Sequence, residues 1–198
     1  MRFNKFALAG LAVCGSVLLA GCGGGGGDDS SPVAQEDLTV KIDPTTGRNT
    51  MASILGQNFE FANGIPALGT TGNTSLKFTG NAAKPDFAIT SGANSASGSV
   101  TYGSCIFTTS QSTFAAGHPL AVGQVSIVND CWLKAFVVGR LADAITFDAD
   151  VAFGLNGVFS KLIKMPTYIR PNGMVFVNGV GIGSVPVVTP TGATGSGS

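Results

Sequence analysis

The sequence predicts a mainly β protein: an antiparallel sandwich or barrel-like soluble domain behind an export signal and a flexible linker. Three observations carry that expectation. Apolar residues alternate over many short stretches, Gly, Asn and Pro punctuate those stretches at close intervals, and no regular strand–helix alternation intervenes. Composition agrees, because 44% of residues are hydrophobic and only 11% are charged, against about 25% charged in an ordinary soluble domain. With 29 Gly and 13 Phe, the surface of such a domain must be made largely of Ser, Thr, Asn and Gly.

The opening, MRFNKF, carries two cations, Arg2 and Lys5. ALAGLAVCGSVLLA follows as a short apolar run, below the roughly 20 residues that a membrane-spanning helix requires. A basic start, a short apolar stretch and a small-residue exit predict a secretory signal peptide over 1–21. At the exit stand Leu19, Ala20, Gly21 and Cys22. This stretch resembles the lipobox of exported bacterial lipoproteins at all four positions. The resemblance implies a thioether-linked diacylglycerol on Cys22, cleavage before that residue and acylation, as by palmitate, of the new amino terminus. Gly23 follows where aspartate would favour retention in the inner membrane, so the resemblance implies the outer membrane. One acyl chain binds a bilayer only marginally and a second makes the attachment stable.

GGGGGDDSSPVAQED, from Gly23 to Asp37, has no apolar periodicity and nothing to bury. With Cys22 it is expected to form a tether over 22–37, spanning roughly 20 Å as a flexible coil. Its acids, Asp28, Asp29, Glu36 and Asp37, are expected to repel anionic headgroups. The five glycines lack the lysine and the following helix that a phosphate-binding loop needs.

From residue 38 to 190 the pattern is β. LTVKI alternates through Leu38, Val40 and Ile42, and DPTTG supplies a turn. ILGQNFEF alternates through Phe59 and Phe61. SLKF, DFAI, SVTY and CIF follow, then QVSIV, CWLKAFVV, ITFDADVAF, TYIR and MVFV. Pro171-Asn172-Gly173 and Asn156-Gly157 read as hairpin turns. GVFSKLIKMP spaces Val158, Phe159, Leu162 and Ile163 as a helical stripe stopped by Pro166, which admits one short helix near 157–165. TPTGATGSGS is of low complexity, and 191–198 is expected to be a disordered tail. FANGIP (Phe61 to Pro66) and FAAGHP (Phe114 to Pro119) echo one another and raise an internal duplication.

Once the signal peptide removes Cys14 and lipid takes Cys22, two cysteines remain, Cys105 and Cys131. In an exported chain that even count predicts a disulfide, stabilising by roughly 3.5 kcal/mol on chain-entropy grounds. Bonded cysteines leave no thiolate for a Cys–His nucleophile with His118 and none for zinc. No Gly-x-Ser-x-Gly elbow offers a serine nucleophile. Asp148 and Asp150 share one strand face, where they are expected to be solvated while their Ala and Phe neighbours turn inward. No catalytic residue, metal site or cofactor is expected. Eleven Lys and Arg balance 11 Asp and Glu without a basic cluster, which argues against nucleic acid as a partner. A transmembrane barrel is disfavoured because the alternating runs are nearer five residues than the required 9–11.

The sequence thus leads to a lipid-anchored outer-membrane protein, facing the periplasm or the cell surface. Its expected role is structural or interactive, towards an envelope or extracellular protein partner. The alternative is a binding module for a glycan or small ligand, for which Trp132 and Tyr102 are the candidate aromatic contacts. A hydrolase comes third.

Overall fold

The computed structural model describes residues 35–43, 45, 47–138 and 145–187. The signal peptide, Cys22 and the tail 191–198 lie outside the described residues. In chain order the elements are β1 (Gln35–Lys41), α1 (Gly47–Ile54), β2 (Asn58–Phe61), a short 3-10 turn (Pro66–Leu68), β3 (Thr74–Asn81), β4 (Lys84–Ser91), β5 (Asn94–Thr101), β6 (Ile106–Ser112) and β7 (Val125–Ile127). They continue with β8 (Cys131–Val138), β9 (Ile145–Leu155), β10 (Val158–Phe159), β11 (Ile163–Ile169), β12 (Met174–Val177) and β13 (Val180–Ser184).

The expected antiparallel β architecture is present as two sheets. One sheet is the meander β2-β3-β4-β5-β6-β7, in which every strand pairs with its neighbour in sequence. The other runs β1-β8-β9-β11-β12-β13, with β10 paired on the end of β9. β1 is the exception to sequence order, because it crosses the whole first meander to pair with β8 from Gln35 opposite Val138 to Lys41 opposite Trp132. At the other end of this sheet, β13 comes back towards β1. A Leu38 methyl lies 3.1 Å from where a Cβ on Gly183 would sit, so a side chain there would push the Leu38 side chain aside.

Alternation decides which side chains form the core. β4 exposes Lys84, Asp86, Ala88 and Thr90 while burying Phe87 and Ile89. β8 buries Leu133, Ala135 and Val137 and turns Trp132, Lys134, Phe136 and Val138 outward. The sheets meet through Phe153 of β9, whose ring lies 5.3 Å from Phe59 and 5.1 Å from Phe78. Within the first meander Phe87 and Phe107 make an edge-on contact at 5.1 Å. Such aromatic pairs add about 0.5–1.5 kcal/mol beyond their buried area.

Two expectations on helical structure are corrected. First, the segment 157–165 holds no helix. Asn156 and Gly157 both take positive φ, 46° and 79°, the pair a two-residue hairpin favours. They fold Val158 and Phe159 back onto Leu155 and Gly154. From Ile163 the chain then pairs with β9, so the open ladder of β9 outweighs the local helical spacing. Second, the described residues hold their one α-helix at Gly47–Ile54, immediately after the expected turn, where Asp43 accepts from the amides of Thr45 and Gly47 at 2.8 and 2.7 Å. Met51 and Ile54 are its buried apolar anchors. β1 itself covers Gln35–Lys41, so Glu36 and Asp37 also pair with β8. The strands are also longer than the five-residue alternations suggest: β3, β4 and β5 have 8 residues each and β9 has 11.

Candidate functional site

The hairpin turns fall where the sequence puts them, and so do the two cysteines. Cys105, just before β6, and Cys131, at the start of β8, form a disulfide with a Cα–Cα distance of 6.2 Å. It joins one sheet to the other. Both residues are buried, so neither sulfur is available as nucleophile or ligand.

His118 sits in the second copy of the repeated hexapeptide. Its Nδ1 accepts the Leu120 amide at 3.0 Å and its Nε2 lies 3.1 Å from the Gly69 carbonyl. Nε2 is therefore the protonated nitrogen. The ring also stacks on Phe114 with centroids 4.2 Å apart. With both nitrogens engaged by backbone, the imidazole is a clamp between loops. The two hexapeptides share local geometry, since the Leu68 amide donates to the Ile65 carbonyl as the Ala121 amide donates to that of His118. Each joins adjacent strands of one sheet, β2 to β3 and β6 to β7.

Asp148 and Asp150 point outward from β9 while Phe147 and Ala149 turn inward. Lys164 pairs with Asp150 at 2.7 Å. The two candidate aromatics part company. Tyr102 rests its ring at the start of α1, 3.5 Å from where a Cβ on Gly47 would sit. Its hydroxyl is buried without a hydrogen-bond partner among the described residues. Trp132 is half-buried on the outer face of β8, in edge-on contact with Phe159 at 4.3 Å.

Trp132 and Phe159 belong to a larger apolar surface. Gly154 makes its floor: a Cβ there would meet Phe159 at 2.9 Å and Trp132 at 3.0 Å. Beside them a shallow groove of about 230 Å³ runs between Phe136, Ala152 and Leu162. Leu162 is 54% exposed and Phe159 43%, large values for such side chains. Lys134 reaches across this face to the Asp37 carboxylate, with its ammonium 5.0 Å from the centre of the Phe136 ring. Sequence spacing misses this surface, because the apparent helical stripe sends Phe159 and Leu162 to a helix face that does not form.

The outer face of the first meander is different in kind. Thr79, Ser97, Ser99, Thr108 and Ser110 line a broad depression of about 470 Å³ with few charges. Its polarity is the reverse of the apolar outer band of a membrane barrel. Among the described residues the meander ends at β7, which pairs with a strand on one side only. The Thr109 amide donates to Gln124 and the Val128 amide to Cys105. By alternation the backbone groups of Val125 and Ile127 point away from β6, towards the edge. Their side chains are 58% and 56% exposed, and Val122 beside them is 61% exposed. Ser126 takes the inward position, donating its hydroxyl to the Pro119 carbonyl at 2.8 Å. Alternation in QVSIV alone would turn Val125 and Ile127 inward, which hides this edge from sequence reading.

No family model, curated protein or solved structure matches the chain.

Proposed function

We propose that this chain is a lipid-anchored protein of the bacterial outer membrane, held through Cys22, whose β domain acts as an interaction module rather than as an enzyme. The observation that carries the interactive part is the β7 edge. Natural sheets blunt an open edge with Lys, Pro or a covering loop. Here Val125 and Ile127 flank the edge, and no Asp, Glu, Lys or Arg occurs between Asp86 and Asp130. Backbone groups that lack a neighbouring strand, flanked by β-branched side chains, suit an extended segment of an envelope or extracellular protein added as a further strand. The hydroxyl-rich face beside the edge suits a polar rim to that contact.

The anchoring part rests on the four lipobox positions. Cys22→Ser in the full chain is expected to move the protein from the membrane to the soluble fraction. For the edge, in-cell cross-linking of the full chain should give a discrete adduct that is lost with Val125→Lys and Ile127→Lys together. An adduct that survives both lysines would move the contact elsewhere on the domain.

A further inference from the structure

We infer that the outer face of the sheet containing β8 and β9 docks on the lipid surface, and that Trp132, Phe136, Val138, Phe159 and Leu162 enter the headgroup region. This inference rests on the lipid at Cys22. The place where the tether meets the domain points to it. The chain coming from Cys22 enters the sheet at Gln35, which pairs with Val138. The exposed apolar face begins at that residue and runs along β8 to Trp132, roughly 20 Å at the rise of a strand. Thirteen peptide steps separate Cys22 from Gln35, a contour of at most roughly 45 Å, so the face lies within the length of chain that leads to the lipid. A lipid-held domain therefore meets the bilayer at high effective concentration with this face within reach.

The chemistry of the face fits an interface rather than a dry protein contact. Trp and Phe with Lys beside them are the side chains that settle at headgroup level, the ring inserted and the ammonium kept in water. Lys41 flanks Trp132 in the pairing of β1 with β8, and Lys134 and Lys164 lie further along the same face. Each cation is matched by a carboxylate: Lys41 with Asp130 at 3.2 Å, Lys134 with Asp37, and Lys164 with Asp150. Asp37, expected from the sequence to repel headgroups, is thus neutralised by Lys134. The two sheets pack through their inner faces, Phe153 against Phe59 and Phe78, so the hydroxyl-rich outer face of the other sheet turns away from the proposed contact and leaves the Val125 and Ile127 edge for a partner.

The chain has a single tryptophan, and it lies on the proposed face. The full lipidated chain is reconstituted in phosphatidylethanolamine–phosphatidylglycerol vesicles whose acyl chains carry bromine, and Trp132 emission is compared with that in unbrominated vesicles. Loss of emission with brominated lipid is expected, together with protection from aqueous iodide. Leu162→Asp and Val138→Asp should restore emission while the protein still sediments with the vesicles. Vesicle-bound, lipidated protein whose Trp132 is unquenched by bromine overturns the docking and leaves the anchoring intact. A tryptophan that responds instead to added envelope polysaccharide also overturns it, assigning the face to a glycan. Mass measurement of the purified chain separates the two readings, since a chain without lipid on Cys22 removes the anchoring and the docking together.

Discussion

His118 holds the Gly69 carbonyl at 3.1 Å through Nε2, so one side chain ties the β6–β7 loop to the loop that leads from β2 to β3. Its Nδ1 is filled by the Leu120 amide. The arrangement is a structural use of the only histidine in the chain. His118→Ala is expected to lower stability by about 1 kcal/mol, chiefly through the part-buried Leu120 amide, because the Gly69 carbonyl is exposed to water. A urea melt of the full chain in detergent checks this. A loss of no more than a few tenths of a kcal/mol would show that the loops hold without the clamp.

The disulfide carries a larger share. Replacing Cys105 and Cys131 by Ala together should cost about 2–5 kcal/mol. Cys105 also adopts a positive φ of 40°, a conformation that costs a non-glycine residue of order 1 kcal/mol. The combination Cys105→Gly with Cys131→Ala is therefore expected to be less damaging than the double alanine variant. Equal midpoints for the two variants would show that the strain is relieved once the bond is gone.

Phe153 and Phe159 differ by six positions and should differ sharply in consequence. Phe153 is fully buried between Phe59 and Phe78, and Phe153→Ala should cost about 3–5 kcal/mol. Phe159 is 43% exposed, and Phe159→Ala should cost about 1 kcal/mol or less, as surface changes usually do. Paired melts decide it. A similar loss at both positions would contradict the placement of Phe159 on the outer face.

Gly154 is the floor on which Trp132 and Phe159 meet. A side chain there cannot be added without moving both rings. Gly154→Val should cost about 1–3 kcal/mol through overpacking and shift the Trp132 emission maximum to the red as the indole is pushed into water. An unchanged spectrum would mean that the indole does not rest on this residue.

Most of the β framework is legible in the sequence, because a strand with one buried face writes its alternation directly. Phe87 and Ile89, or Leu133 and Val137, need no tertiary information to be assigned inward. The hairpin at Asn156-Gly157 is equally local, since few residues tolerate two successive positive φ values. Helix α1 is not legible for a reason of length. Met51 and Ile54 make less than two turns of periodicity, too little to stand out against the strand that follows. The stripe from Val158 to Ile163 misleads for the converse reason: its spacing is helical by coincidence, and the long edge of β9 decides the conformation. The surfaces are the least legible part. Val125 and Ile127 look like core residues until β7 is placed last in its sheet with Ser126 facing inward. Trp132 is visible as a candidate, yet its partner is Phe159 rather than Tyr102, and only the β9–β10 turn brings the two rings together.

The pairing of β1 with β8 also has a kinetic meaning. β1, the first described strand, has no strand partner among the residues that follow it at once. Its ladder, from Gln35 against Val138 to Lys41 against Trp132, closes only after the whole meander from β2 to β7 lies between the two strands. Contacts of such long sequence separation form late, because loop entropy must be met before they give anything in return. In a chain that emerges amino terminus first, the meander can assemble from neighbouring hairpins while β1 waits for its partner. The last seam to close is then the one nearest the amino terminus, so a molecule whose β1 fails to pair would leave the edge of β8 open to other strands.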